Sequence, residues 1–390
     1  MVATGTLLTF VVAALASLFM AWAIGAGSSG STPFAAAVGA NAISVMRAGF
    51  VVGLLGFAGA VLQGANVTEA VGTQLIGGVS LTATAAIVGL LTAAGLVAVG
   101  VFTGYPIATA FTVTGAIVGV GLALGGDPAW PKYRQIATLW VLTPFVGGGI
   151  AYTTARLLRS PRIPERYAIS TLGGLVGALV ATIEFSLLGP AGDSASIAAA
   201  IAANFPVGTS VVAVVCALLV VAVLYYGLVT APETAQRRFL LALGGLVAFS
   251  AGGSQVGLAI GPLVPLLDEF AVPLPAVLAG GGFGLLLGSW TGAPRMIKAL
   301  AQDYSSLGPR RSIAALIPSF AIAQAAVAFG IPVSFNEIVV SAIIGSGYAA
   351  GGGGVSRRKM LYTVLAWIGS LVLALGLGYG IFTAIDGVVA

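Results

Sequence analysis

Residues 25–34 read Gly25-Ala-Gly-Ser-Ser-Gly-Ser-Thr-Pro-Phe34, a glycine- and hydroxyl-rich stretch without a charge. It follows an apolar run from Thr6 to Ile24 and leads into a second from Ala35 to Val45. Backbone that leaves the helix at membrane depth is tolerated only where protein or a watery cavity satisfies its N–H and C=O groups. Ser31 or Thr32 fits an N-cap and Pro33 a first helical position, so the order of residues predicts a helix starting here. A helix start, with spare N–H groups at the positive end of its dipole, is a place for an anion. Broken helices aimed at a midplane substrate are a common plan of secondary transporters. The competing reading is a tight loop at the membrane surface.

The rest of the chain agrees on the solvent. Of its 390 residues 58% are hydrophobic and 7% charged, and the mean hydropathy is +1.08. A soluble domain carries about 25% charged residues. The composition therefore predicts an all-α polytopic membrane protein with almost no domain outside the lipid bilayer; the localisation expected is the plasma membrane, multi-pass. The 57 glycines suit close helix packing. Histidine is absent and Cys216 is the single cysteine, which excludes imidazole ligands, disulfides and thiolate metal sites. The net charge of +5 reads as an orientation signal and not as a nucleic-acid surface. The first apolar run is too long for a cleavable signal, and no basic residue precedes it. With no nucleophile–base pair, metal cluster, P-loop lysine or cofactor motif, neither an enzyme, an ATP-driven pump nor a cofactor is expected.

Apolar segments fall at 4–24, 33–45, 48–64, 82–102, 106–125, 136–155, 167–189, 207–229, 239–252, 256–266, 274–290, 312–329, 332–351 and 360–385. A spanning helix needs about 20 residues. The short pairs 4–24/33–45 and 239–252/256–266 read as interrupted helices, which predicts about 12 crossings; alternatively 33–45 is re-entrant. Placing the loop with Arg156, Arg159, Arg162 and Arg166 in the cytoplasm leaves only Lys132 and Arg134, of 16 basic residues, outside. That asymmetry supports the orientation, with both termini external.

An internal repeat is visible. Gly104-Tyr-Pro-Ile through Gly126 and Gly330-Ile-Pro-Val through Gly352 align at a constant offset of 226, matching Gly104/Gly330, Pro106/Pro332, Gly119/Gly345 and Gly125/Gly351. Ala21-Trp22 with Gly25 is answered by Ala248-Phe249 with Gly252. The division expected is a first repeat over 1–156, a linker with two extra spans over 157–236, and a second repeat over 237–390. Each half holds an odd number of crossings, so the repeats are inverted and place a substrate at their interface.

These residues resemble the inorganic phosphate transporter (PiT) family, which includes sulfate permeases. Met20-Ala-Trp-Ala-Ile-Gly-Ala26 is similar to the approach to its G-A-N-D-V-A-N-A motif, and Ala42-Ile-Ser-Val45, Phe57-Ala-Gly-Ala60 and Asn66-Val-Thr-Glu69 to the stretches that follow. Ala248-Phe-Ser250 and Ala259-Ile-Gly-Pro262 flank the second copy, and the two Gly-x-Pro repeats sit where the family carries G-L-P-V-S-T-T-H. The resemblance covers nearly the whole chain and implies a homodimer that carries inorganic phosphate. The core motifs depart from it. The Asn-Asp pair becomes Gly27-Ser28 in one copy and Ser254-Gln255 in the other, and the later Asn residues become Ser31 and Leu258. In the P-V-S-T-T-H copies, Thr109 survives in Pro106-Ile-Ala-Thr-Ala-Phe111, while the second reads Pro332-Val-Ser-Phe-Asn-Glu337.

Without the two aspartates, a hard cation has only hydroxyl, amide and backbone oxygens, so coupling to Na⁺ or to H⁺ stays open. A fully ionised oxyanion such as sulfate suits a pocket without carboxylates at least as well as phosphate, which carries O–H donors. The candidate substrate-binding residues are Ser28, Ser29, Ser31, Thr32, Ser254, Gln255, Thr109, Ser334 and Asn336. Glu337, in an apolar segment, is the candidate coupling residue, because an ionisable group in a span is costly and marks function; the alternative is a hydrated position near the outer interface. Glu184, in a span of neither repeat, and Glu69, near the outer end of its span, read as structural. Arg295 and Lys298 read as topology determinants in a cytoplasmic loop, and Gly351–Gly354 as a flexible loop. The expected function is secondary transport of phosphate. The alternatives are a sulfate permease, proton-coupled or uncoupled, and a non-transporting membrane sensor or scaffold.

Overall fold

The computed structural model describes residues 4–189, 194–304, 307–349 and 355–389; the Gly351–Gly354 run lies outside them. The helices are α1 (Thr4–Ile24), α2 (Ala35–Gly39), α3 (Val45–Gln63), α4 (Ala65–Thr73), α5 (Ala83–Thr103), α6 (Thr109–Ala123), α7 (Trp130–Leu158) and α8 (Glu165–Thr182). They continue as α9 (Ile197–Ala202), α10 (Thr209–Thr230), α11 (Pro232–Ile260), α12 (Leu274–Thr291), α13 (Ala293–Asp303), α14 (Pro309–Ala328), α15 (Phe335–Tyr348) and α16 (Arg357–Val389). Two short antiparallel ladders pair Ile76–Gly77 with Asp127–Pro128 and Glu184–Phe185 with Ala195–Ser196. Among the described residues nine helices are long and apolar enough to cross a bilayer. Counting α6, α8 and α15 as well gives the twelve crossings expected.

The repeat shapes the architecture. Helices α1, α3, α5, α6 and α7 are answered in order by α11, α12, α14, α15 and α16, with Thr109 and Phe335 opening equivalent helices. Helices α8 to α10 lie between the two sets. The sets are also packed into each other, because α3 lies on α11 and α12 lies on α1. Glycines make these seams. A Cβ at Gly59 would collide with the Phe249 carbonyl and one at Gly252 with the Gly56 carbonyl. The counterparts repeat this, Gly288 against the Trp22 carbonyl and Gly25 against the Leu285 carbonyl. In lipid, where hydrophobicity does not drive helices together, such backbone approach is a main source of association. Gly59→Ala is accordingly expected to destabilise the protein by about 1–3 kcal/mol through overpacking. A lowered Tm in detergent would register it, and Gly280→Ala, where the space is open, is the control. Equal melting of both variants would remove the seam from the stability argument.

Helices α6 and α15 have 15 and 14 residues, about 22 Å of rise against a hydrocarbon core of about 30 Å. The rest of each passage is non-helical chain, 105–108 before α6 and 331–334 before α15, ending in the extended residues Ala108 and Ser334. Gly104 (φ +76°) and Gly330 (φ +58°) turn the chain into these strands in the left-handed region open to glycine.

Of the two expected interruptions the first is present but not built as expected, and the second, between 252 and 256, is absent. Helix α1 runs to Ile24 and widens into a π-helix over Gly25–Ser29. Ser31 Oγ and Thr32 Oγ1 each donate to the Ser28 carbonyl at 3.1 Å. They close the end of the first helix, where orphan carbonyls need partners, and do not start the second. The N-cap of α2 is Phe34, without a side-chain cap, and α2 is one turn long. In the second copy α11 runs unbroken through Gly252–Gln255. It gives way only to a 3₁₀ turn over Gly261–Leu266, where Pro262 and Pro265 lack the N–H a helix needs. Glycine pairs alone, packed against the Gly56 and Gly59 backbone, did not break it. Arg295 and Lys298, expected in a loop, lie on α13, whose Met296, Ile297 and Leu300 are buried.

Candidate binding site at the meeting of the two repeats

The π-helix, α11 and the first turns of α6 and α15 converge on one buried polar cluster. Gln255 is its centre. Its Oε1 accepts from Thr109 Oγ1 at 2.7 Å and from Ser28 Oγ at 3.3 Å, and its Nε2 donates to the Val333 carbonyl at 2.6 Å. Thr109 Oγ1 lies 3.5 Å from Ser28 Oγ. Asn336 Nδ2 donates to the Ile107 carbonyl at 2.6 Å and the Gly27 carbonyl at 3.0 Å. So the first set's Ser28 and Thr109 meet the second set's Gln255, and Asn336 reaches back to the first set. Positions that correspond in the repeat, Ser28 and Gln255, bond directly to each other.

The other candidates divide by what their polar atoms do. Ser29 Oγ donates to the Ile24 carbonyl at 3.5 Å. With Ser31 and Thr32 already turned onto the Ser28 carbonyl, these three hydroxyls serve their own backbone. Ser254 Oγ, Ser334 Oγ, Asn336 Oδ1 and Glu337 Oε2 are buried without a hydrogen-bond partner. Glu337 is 2% exposed, in the first turn of α15, and not at a hydrated interface. Buried polar atoms are almost always paired. Thr114 Oγ1 and Thr143 Oγ1 are orphaned as well, but three of the orphans fall within 334–337 at the start of α15 and one on Ser254, next to Gln255 in the chain, and these four require an explanation. Two are hydroxyls able to donate, and two are oxygens able to accept. Beside them lie the first N–H groups of α6 and α15, which have no partner within their own helices and sit at the positive dipole ends. The two helix starts of this centre are therefore those of α6 and α15, not the one expected at Pro33.

Glu184 lies beyond the end of α8, exposed, with its Oε2 accepting from Ser194 Oγ at 2.6 Å. Glu69 is exposed on α4. Neither reaches the cluster. Sequence reasoning missed two tryptophans, Trp140 and Trp367, whose indole N–H groups hold the strands entering α6 and α15. Their matching places in the repeat were a legible signal. It also missed a satisfied network of Gln63, Gln324 and Ser250 joining α3, α14 and α11.

A predominantly helical, multi-pass membrane protein with a buried polar centre where two repeated helix sets meet has the architecture of a membrane carrier. The chain belongs to the phosphate transporter family, whose family model matches residues 24–378. It is 25% identical to the chloroplastic inorganic phosphate transporter 2-1 of Arabidopsis thaliana, over 91% of this chain and 68% of that protein. It is 27% identical to a putative phosphate permease of Pyrococcus horikoshii, over 91% of this chain and 92% of that protein. Among solved structures, the sodium-dependent phosphate transporter superposes with a TM-score of 0.82 at 21% identity, over 97% of this chain and 99% of that one. The fold is that of this neighbour.

Proposed function

We propose that the protein is a secondary transporter of inorganic phosphate in the plasma membrane. The anion is held among Ser254, Ser334 and the N–H groups that open α6 and α15, with Ser28, Thr109 and Gln255 framing the site. The observation that carries this reading is the set of four orphaned polar atoms on Ser254, Ser334, Asn336 and Glu337. An oxyanion's bare oxygens need donors, which the two serines and the backbone supply. Phosphate near neutral pH also carries O–H groups, which need acceptors, and Asn336 Oδ1 and Glu337 Oε2 are such atoms. Sulfate has no proton to give them. Family membership and the orphaned acceptors therefore both favour phosphate over sulfate.

Coupling is part of the same proposal. With serine and glutamine at the motif positions, the carboxyl left at the centre is Glu337, and it carries a coupling proton in place of sodium. No enzymatic step and no cofactor enters this scheme. The homodimer implied by the family resemblance is carried along with it.

Labelled phosphate uptake into proteoliposomes, with H⁺ and Na⁺ gradients imposed in turn and excess sulfate as competitor, tests the reading. Uptake driven by the proton gradient and indifferent to sulfate is expected. Sulfate uptake in place of phosphate would overturn the substrate assignment.

A further inference from the structure

The two non-helical strands that lead into the site are held in the same way from opposite halves of the molecule. In the strand before α15, the Pro332 carbonyl accepts from Trp140 Nε1 of α7 at 3.0 Å, and the next carbonyl, Val333, accepts from Gln255. In the strand before α6, the Pro106 carbonyl accepts from Trp367 Nε1 of α16 at 2.7 Å, and the next carbonyl, Ile107, accepts from Asn336. Each strand is therefore gripped through two consecutive carbonyls, one by a tryptophan of a flanking helix and the next by a residue of the polar centre. Both tryptophans are buried. A lysine one helix end away repeats the pattern: Lys132 Nζ donates to the Gly330 carbonyl at 3.3 Å, and Lys359 Nζ lies 4.8 Å from the centre of the Tyr105 ring.

The grip crosses between the halves. Helix α7 of the first set holds the strand of the second, and α16 of the second set holds the strand of the first. With the orientation given by the basic residues, strand 331–334 enters from outside and strand 105–108 from the cytoplasm. A movement that draws strand 331–334 away from α7 must lengthen the Trp140 bond, and one that draws strand 105–108 away from α16 must lengthen the Trp367 bond.

We propose that Trp140 and Trp367 are a matched pair of latches, positioning residues that hold the site closed toward the outside and toward the cytoplasm respectively. The inference rests on the reading of the chain as a carrier, and it assigns the two faces to two named N–H groups. A hydrogen bond to a buried carbonyl shifts an equilibrium by a factor of about 2–10, so removing one latch should raise the open population of one face by that factor. The replacement Trp→Phe removes the N–H and keeps an aromatic ring, which at position 140 preserves a stack on Phe111 (ring centroids 3.8 Å apart).

The test uses the full chain in proteoliposomes with Cys216→Ala, carrying Val333→Cys or Ile107→Cys as the reporter. Labelling by a membrane-impermeant maleimide is read from each side. Trp140→Phe is expected to raise labelling of the 333 reporter about 2–10-fold and leave the 107 reporter unchanged. Trp367→Phe should do the reverse. Trp140→His, which keeps a ring N–H, should return labelling toward the parent. Equal changes at both reporters, or none, overturn the latch assignment. If Trp140→Phe does not insert, Trp367→Phe carries the test alone, since it leaves the Phe111 stack untouched. Labelling needs no phosphate, so the latches can fail while phosphate exchange by the parent still upholds the substrate, and the converse.

Discussion

Gln255→Leu is expected to abolish measurable phosphate uptake while leaving a folded protein in the membrane. The side chains are close in volume, so packing within α11 changes little. The polar frame does not survive. Thr109 and Ser28 lose their common acceptor, and the Val333 carbonyl loses its donor. A buried polar group left without a partner costs about 1–3 kcal/mol. A loss of about 2–3 kcal/mol in site stability is roughly a 30–150-fold loss of occupancy. The strand into α15 also loses its inner grip, so Ser334 and Asn336 lose their fixed positions. Uptake assays beside thermal melts separate the two effects. A variant that melts normally and transports normally would remove Gln255 from the site.

Glu337→Gln should separate coupling from carriage. Wild-type protein is expected to accumulate phosphate when the outside is made acidic, because the carboxyl loads its proton from the acidic side and releases it inside. The amide keeps the size and an acceptor oxygen but carries no exchangeable charge. Accumulation driven by a proton gradient should therefore vanish, whereas exchange of labelled for unlabelled phosphate at equal concentrations should persist. The charged groups on the helices packed against α15 do not neutralise Glu337. Lys132, Arg134 and Arg156 lie near the ends of α7, Arg310 and Arg311 open α14, and Arg310 pairs with Glu165 at 2.6 Å. A charged carboxyl in a span costs about 2.5–3.5 kcal/mol on insertion scales, a cost that a proton removes. Sodium-driven accumulation unchanged in Glu337→Gln would end the proton assignment.

Much of this was legible in the chain because the repeat is written in glycine and proline, residues whose backbone demands are strict. The Gly-x-Pro starts at Gly104 and Gly330 marked the matching passages that hold α6 and α15, although the turn and non-helical entry that precede each helix were not read from them. Composition alone gave the all-helical membrane class. The direction of hydrogen bonds was not legible. Ser31 and Thr32 have the chemistry of an N-cap and of a C-terminal stop alike, and only the position of the Ser28 carbonyl decides which. Likewise Gly252-Gly253 reads as a break in sequence, yet Gly252 packs so closely on the Gly56 backbone that the helix continues past it. Of the hydroxyls chosen at the first break, Ser28 faces Gln255 and three face their own backbone. A pattern of residue types cannot distinguish these, since neighbours one or two apart in a tight turn point in unrelated directions.

The glycine seams between α1 and α12 have a consequence for how the protein is made. Trp22 meets Gly288, so the first helix leaves the ribosome some 266 residues ahead of the groove that receives it. At synthesis rates of about 5–20 residues per second, that interval is roughly 13–53 seconds. During it α1 exposes to lipid a face shaped for backbone contact and poor in bulky side chains. Biogenesis therefore needs something to keep this helix from settling against the wrong neighbour, whether the insertion machinery or the second helix emerging behind it. Completion of the fold waits for the C-terminal half of the message.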